Sequence, residues 1–230
     1  MSTRRERPRL LAAAVIGAAA LFATTSVALG FVDIYKNGFG SRANYREVKA
    51  VGGGSHCDRE HKRGRGLMEV VVKDGRRACQ FKPPVQGNQS KPDHRFDGAA
   101  RIIRDTPQAL RADAYLFLAV RVGGDARYEL RVFPKDKEFQ LRRKPDGAMF
   151  PVAGPNGAVK GMGKLNKMAL IAEGDRVRAI VNGTEVADVT DPNPNDVIGR
   201  RLDFGVGTLK DTKKNTVGNF DSISVGVPDP

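Results

Sequence analysis

The 230 residues contain no tryptophan, two cysteines and three histidines. Without tryptophan, a broad flat aromatic platform for stacking ligands is missing. Two cysteines cannot make the multi-bridge framework of a small secreted domain, nor a four-cysteine zinc site. His56, His61 and His94 are too few and too dispersed for a Ser-His-Asp arrangement to be argued. His94 follows Pro92-Asp93 and reads as a loop residue. No helix-turn-helix, zinc-finger or RNA-recognition pattern occurs, which removes nucleic acid as a partner. After Val32 no segment sustains a helical period.

What is present begins with charge. The formal net charge is +13, of which Arg4, Arg5, Arg7 and Arg9 against Glu6 supply +3 and the remainder +10. A basic body is drawn to phosphates, anionic lipids and acidic polysaccharides, while the bland reading is a solvated surface. The arginines at residues 1–9 precede an uncharged run, Leu10–Val32. As a helix it would span about 34 Å, enough to cross a bilayer. Positive residues on the near side put the N-terminus in the cytoplasm and the body outside. Two readings stay open. The run is a transmembrane anchor at residues 10–32, giving a single-pass protein. Alternatively Leu10–Ala23 is a signal-peptide core and Ser26-Val27-Ala28 a cleavage site, giving a secreted one.

Cys57 and Cys79 form an even pair, expected to be a disulfide in an exported chain. A metal site with His56 and His61 is the alternative, although the spacing matches no zinc motif. The body, 33–230, reads as short β-branched and aromatic runs divided by Gly, Pro, Asn and Asp. Leu67–Lys73 and Arg77–Lys82 flank Asp74-Gly75, a hairpin signal. Ala114–Val122 is apolar on both faces and predicts a central, covered strand. In Arg127–Phe133, Tyr128, Leu130 and Val132 alternate with Glu129 and Arg131, and in Glu138–Lys144, Phe139 and Leu141 alternate with Gln140 and Arg142. Pro145 ends that strand, and Pro145–Lys164 reads as a long loop. Asp175–Val181 and Thr184–Val189 flank Asn182-Gly183, the clearest hairpin in the chain. With Lys167–Ala172, Arg201–Val206 and Asn219–Val227, about ten strands follow Gly66 by pattern. A helix is expected around Thr106–Leu110 alone. The fold class is all-β: a two-sheet antiparallel sandwich preceded by one N-terminal hydrophobic helix.

The order Asn166–Ala172, Gly174–Gly183, Gly205 before an apolar stretch, and the terminal Phe220-Asp-Ser-Ile-Ser-Val resembles the concanavalin A-like lectin/glucanase superfamily. Within it, the laminin G-like and 3-keto-disaccharide hydrolase-like domains are the nearest in pattern, over roughly Ala114 to Val227. The resemblance implies a jelly roll with a concave sheet face that often binds glycans. It does not carry catalysis across. The Glu-x-Asp-x-x-Glu type motif of the related glucanases is missing, and Glu129, Glu138 and Glu185 stand singly. Asp188, three residues from Glu185, falls on the opposite face of a strand.

The candidate ligand face carries Glu129, Arg131, Gln140 and Arg142, with Arg143 beside them. The alternative for these residues is an ordinary solvent-facing row. Tyr128 alternates with core positions. No cofactor is expected. Calcium through Asp203, Asp211 and Asp221, as some laminin G-like domains hold it, would need these dispersed residues in one loop. Asn88 and Asn182 match the glycosylation pattern, the second inside a tight turn. Three functions remain open: a non-catalytic binder of a cell-envelope glycan or acidic polymer, held to the membrane by its N-terminal helix; a glycan hydrolase or lyase; and a structural or protein-interaction domain.

Overall fold

A computed structural model of the chain describes residues 30–52, 54–73, 77–85, 93–151, 154–211 and 213–229. The N-terminal apolar run up to residue 29, the Asp74-Gly75 turn and Asn88 lie outside the described residues. In chain order the strands are β1 (Phe31–Asn37), β2 (Lys49–Val51), β3 (Cys57–Lys62), β4 (Leu67–Val72), β5 (Ala78–Lys82) and β6 (His94–Ile102). There follow β7 (Ala114–Gly123), β8 (Ala126–Phe133), β9 (Glu138–Lys144), β10 (Gly147–Ala148) and β11 (Asn166–Glu173). The last are β12 (Arg176–Val181), β13 (Thr184–Thr190), β14 (Arg201–Thr208) and β15 (Thr216–Pro228). A short helix α1 (Arg42–Glu47) follows β1, and the Ser41 side chain accepts from the Asn44 N–H at its start.

All pairings are antiparallel and make two sheets. One runs β13-β12-β11-β6-β15-β4-β3, with β1 also paired to the second half of β15. The other runs β10-β9-β8-β7-β14-β5-β2. Their inner faces meet in one apolar core. Leu116, Leu118, Leu130, Val132, Phe204 and Val206 from the seven-stranded sheet face Met68, Phe96, Leu170, Phe220 and Val225 from the other. Phe204 sits at the centre, edge-on to Phe220 with ring centroids 4.8 Å apart. Such a pair adds about 1 kcal/mol beyond its area burial.

Cys57 on β3 and Cys79 on β5 are joined by a disulfide, Cα–Cα 5.5 Å apart, so the bridge ties one sheet to the other. Closing a 22-residue separation is worth about 3 kcal/mol in the chain-entropy model. It also removes Cys57 from any metal site.

Most strands expected from alternation are found. β12 and β13 form the Asn182-Gly183 hairpin, with φ of 52° and 87° at the two turn residues, the left-handed pair a type I′ turn requires. The Asn182 amide donates to the Ala158 carbonyl at 2.7 Å and its oxygen accepts from Lys167 N–H, so the turn itself explains that asparagine. β9 ends at Lys144, before Pro145.

Three expectations are corrected. β4 and β5 are not a hairpin: β4 pairs within one sheet and β5 within the other. The segment at Thr106–Leu110 is a single 3₁₀ turn at Gln108–Leu110, while α1 was not anticipated. β6 was also not anticipated, and His94 is its first residue, buried, where a loop was expected. Phe31 and Val32 pair with Pro228 and Val227.

Candidate functional site

β7 is buried along almost its whole length. Its even residues Leu116, Leu118 and Val120 enter the core. Its odd residues Tyr115 and Phe117 form a second apolar cluster with Phe133 on the outer face of the seven-stranded sheet. The apolarity of both faces, read from sequence as burial within the sandwich, therefore has two sources.

The register lays out the outer face in rows. One row is Gln80, Gly205, Phe117, Arg131 and Gln140; the next is Asp203, Ala119, Glu129 and Arg142; Arg127 and Lys144 pair beyond it. Gly205 and Gly207 make room for the aromatic rings. A Cβ on Gly205 would lie 2.8 Å from Phe117 Cε1 and would collide with the Cys79 carbonyl, and one on Gly207 would enter the Tyr115 ring. A pocket of about 260 Å³ opens here, lined among others by Tyr115, Arg127, Glu129, Arg131, Arg142 and Lys144.

Glu129, 1% exposed, is the hub of this pocket. Its Oε1 accepts from Arg131 Nε at 2.5 Å, and its Oε2 accepts from Arg127 Nε at 2.7 Å. Burial alone would raise the Glu129 pKa, but Arg131, Arg127 and Lys144 outweigh it and hold the group below the ordinary carboxylate value. The Arg131 guanidinium lies 4.4 Å from the Tyr115 ring centroid, a cation–π contact that fixes it in place. The Tyr115 ring is thereby covered, and serves as a support for arginine.

Arg142 and Lys144 make no ion pair of this kind among the described residues. Burial, then the neighbouring Arg131, lowers the Arg142 pKa, and its Nε is buried with no hydrogen-bond partner. Burial is also the main cause of the lowered Lys144 pKa; Glu129 opposes it, and Arg127, Arg131 and Arg142 add to it. With Arg77, five cations line the pocket against one carboxylate.

The four residues expected from alternation are brought together. Glu129, Arg131 and Arg142 line the pocket, and Gln140 lies opposite Arg131 in the strand register. Arg143 does not belong with them. It points to the other face of β9, where its Nε donates to Asp191 Oδ2 at 2.8 Å, beside the buried Tyr128 hydroxyl on the same oxygen. Tyr128 is thus a core residue. Tyr115, Phe117, Arg127, Lys144 and Arg77 were missed because they sit on β5 and β7 or at strand ends, and cross-strand register joins them.

The carboxylates do not form a hydrolytic pair. Asp203 occupies the same row as Glu129 two strands away, about 10 Å between backbones. Both its oxygens accept from Arg201, and it is fully buried. Burial raises its pKa, against the pull of Arg201. The other proposed sets are likewise dispersed. Asp203 and Asp221 lie in different sheets, and Asp221 accepts from Arg101. His61 hydrogen-bonds the Phe39 carbonyl and stacks on Tyr45. Among the described residues no group of three His, Cys, Asp or Glu is disposed to hold a metal.

No family model and no curated protein matches the chain. Solved structures do. A Bacillus subtilis protein of unknown function with a galectin-like fold aligns over 87% of this chain and 100% of its own, at TM-score 0.59 and 12% identity. The Bacillus licheniformis β-glucanase aligns over 83% and 96%, at 0.57 and 9%. The carbohydrate-binding module CBM66 from Bacillus subtilis aligns over 79% and 96%, at 0.52 and 15%. The fold is the concanavalin A-like jelly roll. These jelly rolls include a hydrolase and a binding module, so function rests on the residues of the face.

Replacing Glu129 by Gln leaves the buried Arg131 and the half-buried Arg127 without their counter-charge, an expected cost of about 3 kcal/mol at neutral pH. Because the folded pKa of Glu129 lies below its unfolded value, its contribution is present above the ordinary 4.5 and is lost as pH falls through the folded value. Urea unfolding across acid pH should therefore show parent and variant converging on acidification. Equal stabilities at neutral pH would remove Glu129 from its role as hub.

Proposed function

We propose that the chain is a non-catalytic binding module for an acidic glycan or similar anionic polymer, held on the outer face of the seven-stranded sheet. The observation that carries this reading is the surplus of positive charge in the pocket. Arg127 and Arg131 are set by Glu129, while Arg142 and Lys144 stand beside them with lowered pKa values. A ligand carboxylate, sulfate or phosphate would relieve that repulsion, and the planar arginine fork suits such groups. The binding-module and glucanase neighbours of the same fold support a glycan as the carrier of the charge. A hydrolase reading is weaker, because the carboxylate lining the pocket has both oxygens occupied by arginine, and a glycosidase needs two available carboxyls.

The module works outside the cytoplasm in this proposal. Its support is the arginine-flanked uncharged run Leu10–Val32 and the inter-sheet disulfide, which suits an oxidising compartment. Whether the run stays as an anchor or is cleaved near Ala28, the body is delivered to the same side. Alkaline phosphatase fused after the last residue should be active in cells, and green fluorescent protein fused there through the general export route should stay dark. Bright fluorescence without phosphatase activity would contradict the location.

Arg131 is unsuitable as a probe of binding because it is buried with Glu129. Arg142 and Lys144 are more accessible. The double variant Arg142→Ser/Lys144→Ser should melt near the parent and bind polygalacturonate at least tenfold more weakly, a loss of about 1.4 kcal/mol or more. Parent binding should fall as salt is raised, since exposed charges are screened within about 10 Å at 0.1 M. A folded variant that binds as the parent does would place the ligand elsewhere.

A further inference from the structure

A second cationic cavity opens on the eight-stranded sheet, so that it shares no residue with the pocket above. It encloses about 670 Å³ and is lined by Arg65, Leu67, Arg101, Ile103, Arg104, Gly163, Lys164 and Asn219. Arg101 on β6 and Asn219 on β15 are direct register partners on the outward side of the sheet, and Leu67 begins the neighbouring β4. The loop before β11 closes one wall. Gly163 N–H donates to the Ile102 carbonyl at 2.9 Å, and φ at Gly163 is +74°, a conformation that glycine accepts readily. A Cβ there would press on the Arg104 side chain at 3.3 Å, so glycine also leaves Arg104 its course along the wall.

Two of the residues that line this cavity carry a buried polar atom without a hydrogen-bond partner. Arg101 Nη2 donates to Asp221 at 2.8 Å, yet its Nε is buried without a partner. Asn219 is 5% exposed, and its Oδ1 is also buried without a partner. The side chains of Arg65, Arg104 and Lys164 make no ion pair among the described residues. The carboxylates on the adjoining strands are already engaged, Asp221 by Arg101 and Glu69 by Lys62 at 3.2 Å. Buried polar atoms are nearly always satisfied, by protein, water or ligand. Four cations and an orphan donor call for an oxyanion. The orphan acceptor among them calls for a hydroxyl next to that oxyanion.

We infer that this cavity is a binding site for a phosphate-bearing polyol, either in a soluble polymer or as a lipid headgroup. The phosphate lies among Arg101, Arg104, Arg65 and Lys164, and a hydroxyl donates to Asn219 Oδ1. The inference rests on residues separate from the proposed glycan face and survives or fails apart from it.

The test uses the full chain, isotope-labelled, in nanodiscs of phosphatidylcholine. Glycerol 1-phosphate, inorganic phosphate and glycerol are added in turn while the Asn219 amide and Arg101 Nε–H resonances are followed. Glycerol 1-phosphate should move both at lower concentration than phosphate does, and glycerol should move neither. Arg104→Ser/Lys164→Ser should weaken the response at least tenfold; should that variant not fold, Arg65→Ser serves for the same reading at smaller effect. Resonances already shifted in nanodiscs containing phosphatidylglycerol would support the site and identify a headgroup as the source, whereas shifts that need the soluble ligand would support it and identify a polymer. No movement, equal movement with glycerol, or unchanged titration of the variants would overturn the inference. The Arg142 Nε–H reports on the other pocket in the same spectra, so the two readings fail distinguishably.

Discussion

The buried contact of Glu129 with Arg127 and Arg131 is the constraint on which the outer face of the seven-stranded sheet depends. A carboxylate at 1% exposure is tolerable because two guanidinium groups saturate its oxygens. In return it fixes two arginines that would otherwise repel each other and move freely. Arg131 then covers Tyr115, and Tyr115 and Phe117 lie over Gly207 and Gly205. The chain of contacts runs from a charge pair through an aromatic layer into the glycines of β14, and it covers the central strand on its second side.

That arrangement separates charge recognition from stacking. With no tryptophan in the chain and Tyr115 beneath Arg131, the face offers guanidinium groups where many sugar sites offer bare rings. In the proposed reading, the excess of cations over carboxylates at the rim, at Arg142 and Lys144, is what would favour an anion. Fold likeness contributes the shape of the sandwich, and the side chains decide what it takes.

Much of this was legible in the sequence where one face of a strand is apolar and the other polar. Tyr128, Leu130, Val132, Phe139 and Leu141 declare their face, and so assign Glu129, Arg131, Gln140 and Arg142 to the other. The pairing of Glu129 with Arg142 and Arg131 with Gln140 follows once β8 and β9 form a hairpin. β6 was hard to read because three of its five inward positions hold His94, Gly98 and Ala100, which leaves Phe96 and Ile102 alone to carry the hydrophobic signal. Gly98 is small because Leu118 of the opposite sheet packs 3.0 Å from where its Cβ would be. Arg143 was misassigned since a charged residue on an inward position reads as surface until its partner, Asp191, is brought in from 48 residues away. The crossing between β4 and β5 was hidden for a similar reason: Asp-Gly permits a turn but does not say whether the chain stays in its sheet.

The central claim is that charge on the ligand, presented to Arg142 and Lys144, supplies the binding. The most direct measurement compares polygalacturonate with the same polymer after its carboxyl groups are reduced to alcohols, at matched chain length and physiological salt. The account predicts that reduction weakens binding by at least about tenfold, the loss of one charge-assisted contact or more. Equal affinity for the acidic and the neutral polymer would contradict it.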